Sequence, residues 1–197
     1  MTSKIEQLKA QLAAGGIIID SDDENINRNR VMKRVIALDA SSSMAGQSII
    51  DAQIMARRRL KQEDGLFIFN DTVHFVDQTK IGYIVASGNT AMGPCIKEIL
   101  DTVKGIQEVI LITDGVPNVS MDGNITIWGE GCVDEILTLL AGVNGVVIHT
   151  IGIGWDCDKE FLEEIASLTG GQSHHIDNTE SLDQVVGLLE YNNAIEM

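Results

Sequence analysis

Short, almost uninterrupted apolar segments alternate with amphipathic segments along most of the chain. The apolar segments are rich in β-branched residues, as in VIAL at 35–38, VILI at 109–112 and VVIHTI at 146–151. Strands of this kind, separated by helices, are typical of parallel sheets that are covered on both faces. The pattern therefore predicts a three-layer α/β fold, with a doubly wound, mostly parallel central sheet between helices.

One pair of strands departs from this alternation. GLFIFN at 65–70 and TVHFV at 72–76 are separated by Asp71 alone, whereas a parallel pair needs a long crossover connection. We therefore expect TVHFV to be the one antiparallel edge strand of the sheet.

Helices are predicted between the strands from residue spacing and from terminal signals. In the helix predicted at 159–168, Asp158 is placed to cap the first turn and Gly170 to end the last one. The other predicted helices are a segment that ends near Leu60, segments at about 92–103 and 133–141, and a final helix that begins near Ser181.

The first thirty residues differ from the rest in their pattern of apolar and polar positions. An amphipathic segment ends at Gly15-Gly16 and is followed by the polar, acidic stretch DSDDENINRNR. This stretch lacks a calcium loop, because Asn25 stands where glycine is required and Val31 where glutamate is required. We interpret 1–30 as an extension and 31–197 as one domain.

Charge and composition exclude several functions. The chain of 197 residues has 29 acidic against 14 basic residues and a net charge of -15, which repels nucleic acid and anionic membranes. It has no apolar run of membrane-spanning length, and its first residues lack the apolar region and cleavage site that we would expect of a secretory signal. Three cysteines, Cys95, Cys132 and Cys157, lack the spacing of a zinc site or a disulfide framework, so core thiols and a cytoplasmic location are expected.

Oxygen-bearing side chains follow the predicted strands at three places. The first strand leads into Asp39-Ala40-Ser41-Ser42-Ser43, a later one into Asp114-Gly115, and a third loop contains Ser87-Gly88-Asn89-Thr90. Ligands of open α/β sheets bind at the carboxyl ends of the strands, and oxygen donors suit Mg²⁺ and similar hard cations. Two carboxylates and three hydroxyls from these loops would suit such a cation, although each motif taken alone also has a structural explanation.

Together, DASSSM, GNT and LITDG resemble the metal-ion-dependent adhesion site of von Willebrand factor A domains. The resemblance extends from about Lys33 to about Leu189 and includes GIGWDCDKEFLEEIASLTGG. The third loop departs from the family, which often has Gly-Gly-Thr where this chain has Gly88-Asn89-Thr90.

The resemblance implies that Ser41, Ser43 and Thr90 coordinate the cation directly, whereas Asp39 and Asp114 hold it through water. Neutral hydroxyls next to the ion leave it electrophilic, so an acidic group from outside can complete its coordination. The expected function is therefore a metal-dependent adaptor that uses Mg²⁺, or Mn²⁺ or Ca²⁺, to bind an Asp or Glu of a partner protein. Family-level candidates for the partner are an AAA-type ATPase or a component of a phage or stress system.

Two alternatives stay open at this stage. The first is a Mg²⁺-dependent phosphohydrolase with Asp39 as nucleophile, although such enzymes carry a second Asp where this chain has Ser41. The second is a structural subunit that the metal only stabilises. No nucleophile elbow, P-loop or HExxH motif occurs, so we do not expect an enzyme.

Histidines and tryptophans are weaker candidates. His174 and His175 are expected to be a packed or surface pair, because adjacent strand residues point to opposite faces. Trp155 follows the predicted strand end GIG, and we expect it to pack rather than to bind.

Overall fold

The structure is a computed structural model that describes residues 31–155 and 157–177. The extension 1–30 and the helix predicted near Ser181 lie outside these ranges. The described strands are β1 (Arg34–Asp39), β2 (Gly65–Phe69), β3 (Val73–Phe75), β4 (Glu108–Thr113), β5 (Val147–Ile153) and β6 (Ser173–Ile176). The described helices are α1 (Gln47–Arg59), α2 (Met92–Thr102), α3 (Cys132–Ala141) and α4 (Lys159–Thr169), with short 3-10 helices at Ser42–Met44, Gln78–Tyr83 and Ile127–Gly129.

The six strands form one sheet in the order β3-β2-β1-β4-β5-β6. All neighbours are parallel except β2 and β3, which pair antiparallel through contacts such as Phe67 with Phe75. The predicted fold class is therefore confirmed, including the antiparallel edge strand. The chain moves to one side of β1 through β2 and to the other side through β4, so the topological switch point lies between β1 and β4.

Apolar side chains cover both faces of the sheet. On one face, Ile36 and Leu38 of β1 pack with Met55 of α1. On the other face, Val35 and Ala37 pack in a cluster with residues of α2, α3 and α4. Alternate residues of β1 thus enter opposite cores, which is why its sequence is apolar at successive positions.

The terminal signals of α4 act as the sequence indicates. The Asp158 side chain accepts a hydrogen bond from the Phe161 amide, which caps the first turn. Gly170 ends the helix with φ 76°, a left-handed conformation that glycine adopts without a steric penalty. Within 31–155 and 157–177, no helix is long and apolar enough to cross a membrane.

Candidate metal centre

Asp39 is the last residue of β1 and is fully buried. Its Oδ1 accepts a hydrogen bond from the Ser41 amide at 2.8 Å, and its Oδ2 accepts one from Thr113 Oγ1 at 2.5 Å. Both carboxylate oxygens therefore have neutral donors, which fix the orientation of the side chain without neutralising its charge.

Burial raises the pKa of the Asp39 carboxyl from 3.8 to about 7. The hydrogen bonds from Thr113 and Ser41 oppose this rise, and the nearby Asp114 carboxylate adds to it. The ionised form of Asp39 is thus costly in the protein alone, and a cation beside it would reduce that cost.

A chain of hydrogen bonds links the first loop to the end of β4. Ser41 Oγ and Ser43 Oγ are 3.0 Å apart, and Ser43 Oγ donates to Asp114 Oδ1 at 2.8 Å. Asp114 follows β4 directly and is 8% exposed. The loop that leaves β1 and the loop that leaves β4 therefore meet through their oxygen atoms at the switch point.

Thr90 reaches the same place from the loop before α2. A methyl group added to Gly115 would lie 3.4 Å from Ser43 Oγ and 3.8 Å from Thr90 Oγ1, so both hydroxyls face the same short turn. Thr90 is also buried, with 5% of its surface exposed. The structure thus brings together the predicted ligands, which we call the donor cluster: Asp39, Ser41, Ser43, Thr90 and Asp114.

The three loops are tied to one another by hydrogen bonds. The Ser42 amide and hydroxyl both donate to the Gly88 carbonyl, at 3.0 and 2.8 Å. The Thr90 amide donates to Asn118 Oδ1 at 2.7 Å. These bonds hold the hydroxyls of the donor cluster in place from the backbone side.

Asn89, the departure from the family pattern, has a definite role in this structure. Its amide and its Nδ2 both donate to Asp71 Oδ1, at 3.0 and 2.5 Å. Its Oδ1 accepts from Asn118 Nδ2 at 3.2 Å. Asn89 therefore joins the β2–β3 turn to the loop after β4, while Gly88 takes the left-handed conformation with φ 78°.

Sequence reasoning missed two residues that position the donor cluster. Thr113 donates to Asp39, and Asn118 accepts from the amide of Thr90. A hydroxyl residue that ends an otherwise apolar strand could have indicated Thr113. No comparable signal indicated Asn118, because polar residues are ordinary in loops.

The donor set agrees with a hard cation. In the described part of the chain, no group of three or more His, Cys, Asp or Glu side chains is arranged to hold a metal. The donor cluster instead offers two carboxylates and three hydroxyls, a set that suits an ion that keeps some of its waters. The assignment of individual ligands stays a prediction.

One other interpretation needs correction. Trp155 is 84% exposed, so the expectation that it packs is wrong. His174 and His175 are half-buried, as expected for a packed or surface pair, and the ring of His175 contacts both Cys157 and Asp177. All three cysteines are buried, as expected, and form no disulfide in the described ranges.

The fold and the donor cluster define an open α/β domain with an oxygen-rich edge at its switch point. The chain belongs to the von Willebrand factor type A domain family. The sequence model of that family matches residues 33–80 and 70–175, which together make up more than half of the chain. Domains of this family are typically binding or structural modules and not enzymes.

Solved structures share the fold at low sequence identity. A von Willebrand factor type A protein from Catenulispora acidiphila is 18% identical, with a TM-score of 0.58, over 79% of this chain and 41% of that one. BatB from Bacteroides thetaiotaomicron is 17% identical, with a TM-score of 0.59, over 81% of this chain and 98% of that one. Proximal thread matrix protein 1 from the mussel byssus, described with a zinc-occupied adhesion-site motif, is 20% identical, with a TM-score of 0.56, over 95% and 51%.

These similarities show a shared fold. The chain spans less than half of the Catenulispora protein and about half of the mussel protein, but nearly all of BatB. No curated protein matches the chain.

Proposed function

We propose that this domain is a metal-dependent adaptor, which binds Mg²⁺ at the donor cluster and uses it to bind an acidic side chain of a partner protein. The observation that carries the proposal is the pair of buried carboxylates, Asp39 and Asp114, beside three hydroxyls at the switch point. Two negative charges at a buried edge are unfavourable without a cation.

The residues of the donor cluster would have two different roles in holding the cation. Ser41, Ser43 and Thr90 would supply neutral oxygens to the ion directly. The carboxylates of Asp39 and Asp114 would supply negative charge without direct contact. Mg²⁺ prefers oxygen ligands, and Mn²⁺ or Ca²⁺ could replace it. The bound ion would supply positive charge that attracts a carboxylate from the partner, which the net charge of -15 would otherwise repel.

Exposed apolar side chains on loops that leave the carboxyl edge of the sheet support a protein partner. Thr113 pairs with Gly152 across β4 and β5, so the loops that follow these strands leave the sheet side by side. Ile127, in the loop after β4, is 76% exposed, and Trp155, in the loop after β5, is 84% exposed. Large exposed apolar residues beside a polar centre are typical of protein-binding surfaces.

The phosphohydrolase alternative loses support from the geometry of Asp39. A nucleophilic carboxylate must reach its substrate, whereas Asp39 has no exposed surface and both of its oxygens accept internal hydrogen bonds. The mussel protein described with zinc in its motif supports a metal in this fold, although it does not identify the cation of this chain.

The partner's identity and the compartment are further parts of the proposal. An AAA-type ATPase or a component of a phage or stress system fits a stand-alone adaptor of this family. A cytoplasmic location agrees with the three buried cysteines that form no disulfide in the described part.

Calorimetric titration and thermal melting with Mg²⁺ test the metal. At a free Mg²⁺ concentration about 100 times the dissociation constant, the folded state should gain about 2.7 kcal/mol. Asp39→Asn and Asp114→Asn should lose this gain while staying folded. Asp122→Asn is the matched control, since Asp122 is an exposed carboxylate in the same loop as Asp114. A gain that persists in both of the first two variants would refute the metal site.

A pull-down in Mg²⁺, repeated in EDTA, tests the adaptor function. We expect the partner to be captured only with the metal present, and its affinity to fall when the contacting Glu is changed to Gln. Metal binding with partner capture that EDTA leaves unchanged would instead support the structural alternative.

A further inference from the structure

A second group of reactive side chains lies at the ends of β5 and β6. Cys157 Sγ is 3.1 Å from His175 Nδ1, and His175 Nε2 is 2.5 Å from Asp177 Oδ1. The imidazole ring therefore stands between a thiol and a carboxylate, with one contact on each nitrogen. We call Cys157, His175 and Asp177 the thiol cluster.

The fold leaves a space for this thiol. Gly152 of β5 pairs with His175 of β6, and a methyl group added to Gly152 would lie 2.6 Å from Cys157 Sγ. Any larger residue at 152 would displace the sulfur from the imidazole. The absence of a side chain at Gly152 is therefore what allows the thiol to reach His175.

The carboxylate determines which nitrogen of His175 faces the thiol as an acceptor. Asp177 can only accept a hydrogen bond when it is ionised, so the Nε2 of His175 carries the proton and donates to it. The Nδ1 lone pair is then directed at Cys157. Lys159 Nζ lies 3.9 Å from the same Asp177 oxygen.

This order of groups favours proton transfer over metal binding. Both nitrogens of His175 are already used within the thiol cluster, and no metal-holding group of three such side chains is found in the described residues. A thiol beside an imidazole that a carboxylate orients is an arrangement that activates sulfur as a nucleophile.

Accessibility distinguishes Cys157 from the other two cysteines. Its exposed fraction is 7%, compared with 0% for Cys95 and 1% for Cys132. The His175 side chain is 19% exposed. All three cysteines are buried, and Cys157 packs in the same apolar cluster as Cys95, so a small reagent would approach its sulfur from the side of the partly exposed His175 ring.

We propose that Cys157 is a reactive thiol, activated by His175 and positioned with Asp177, that undergoes exchange with low-molecular-weight disulfides. The sulfur of Cys157 attacks one sulfur of the disulfide, and its proton passes to His175 Nδ1. A new disulfide forms between Cys157 and one half of the reagent as the original sulfur–sulfur bond breaks. The leaving thiolate then takes the proton from His175, so Cys157 is oxidised and the other half of the reagent is reduced.

Alkylation by iodoacetamide and adduct formation with oxidised glutathione, both followed by peptide mass spectrometry, test this proposal on the full chain. At neutral pH, His175→Ala should slow alkylation of Cys157 on the order of tenfold, because an ordinary thiol is only a few per cent ionised there. Asp177→Asn should slow it by a smaller factor. His174→Ala is the matched control, since the neighbouring imidazole extends from the opposite face of β6, and it should leave the rate within about twofold.

The pH profile separates activation from a merely structural contact. Between about pH 6.5 and about pH 8.5, alkylation of an ordinary thiol rises on the order of 50-fold. We expect that steep rise in His175→Ala and a much flatter profile in the wild type. Among the described residues, the titratable or charged groups that contact or adjoin the thiol cluster include His175, Asp177, Lys159 and Asp158, so the profile is compared at fixed salt concentration.

Melting curves of each variant establish that it is folded under the assay conditions. The proposal is overturned if folded His175→Ala is alkylated at Cys157 as fast as the wild type across this pH range. It is equally overturned if oxidised glutathione gives no adduct at Cys157 in the folded wild-type protein.

Discussion

Strand β1 carries a buried charged residue at each end, and the two ends are built differently. At its start, Arg34 Nε and Nη2 donate to Asp64 Oδ2 at 3.0 and 2.5 Å, and Nη2 also donates to the Arg59 carbonyl at 2.6 Å. At its other end, Asp39 receives neutral hydrogen bonds and lies near a second carboxylate, Asp114. One end neutralises its buried carboxylate within the protein, and the other does not.

The difference separates a charge that is paired within the fold from one that we propose to be functional. Asp64 has a guanidinium partner that is itself buried, with side-chain exposures of 2% for Asp64 and 8% for Arg34. Such a pair is complete when the chain folds. Burial raises the pKa of Asp39 to about 7, and the hydrogen bonds from Thr113 and Ser41 offset this rise only in part, so an external cation would relieve the remaining cost of the charge.

The largest expected effect on stability comes from breaking the buried ion pair between Arg34 and Asp64. Arg34→Met leaves Asp64 buried without its cation, and we expect a loss of about 3–5 kcal/mol in the free energy of unfolding. Urea denaturation measures it. Lys33→Met, at the exposed neighbouring position, is the control. If Arg34→Met costs no more than Lys33→Met, the pair does not carry the stability that we assign to it.

The second prediction concerns pH without metal. A carboxyl whose pKa rises from 3.8 in the unfolded chain to about 7 in the fold binds a proton more tightly when folded. Its contribution to stability is complete below about pH 4 and is lost as the pH passes about 7, with a ceiling of roughly 4 kcal/mol. Urea denaturation in EDTA from about pH 4.5 to about pH 8 should show this decline in the wild type.

Asp39→Asn should lack that part of the decline, because asparagine does not titrate. Saturating Mg²⁺ should stabilise the wild type more at about pH 8 than at about pH 5.5, since at the lower pH the cation competes with a proton on Asp39. Equal pH profiles for the two proteins would contradict the raised pKa.

The third prediction concerns the hydrogen bond from Thr113 to Asp39, which sequence reasoning missed. Thr113→Val takes the donor from Asp39 Oδ2, and a hydrogen bond to a charged group contributes about 1.5–3 kcal/mol. Thr150→Val on β5 is the matched control, because its hydroxyl donates to the neutral Leu162 carbonyl and should contribute only about 1 kcal/mol. We expect Mg²⁺ affinity to fall in the first variant alone. Equal Mg²⁺ affinities in the two variants would mean that Thr113 does not orient Asp39.

The smallest effect on stability and Mg²⁺ affinity is expected at Asn89, where the chain departs from the family pattern. Asn89→Ala removes the exposed bond to Asp71 and the bond from Asn118, and should cost about 0.5–1 kcal/mol. Mg²⁺ affinity should fall by less than about fivefold, equivalent to about 1 kcal/mol. A larger fall, measured by calorimetry, would show that Asn89 positions Thr90 more strongly than these two bonds imply.

Much of this molecule could be predicted from local patterns. The apolar segments, the single residue between β2 and β3 and the capping role of Asp158 each depend on a few neighbouring positions. The family resemblance then assembled Asp39, Ser41, Ser43, Thr90 and Asp114 into one site, and the structure places these residues at one edge. The packing of the individual helices and the exposure of Trp155 could not be predicted from local patterns, because they depend on residues far away in the sequence.

By itself, the sequence determined which segments form strands and helices, since alternation of apolar and polar residues specifies which surfaces are removed from water. Apart from the five residues that the family resemblance brought together, only the tertiary structure decided which polar residues meet. Thr113 reaches Asp39 across 74 positions of the chain, and His175 reaches Cys157 across 18. Arg34 meets Asp64 because parallel pairing of β1 and β2 brings their amino ends together. Hydrogen bonds and charge interactions act over a few ångströms, so their partners are set by the register of the sheet.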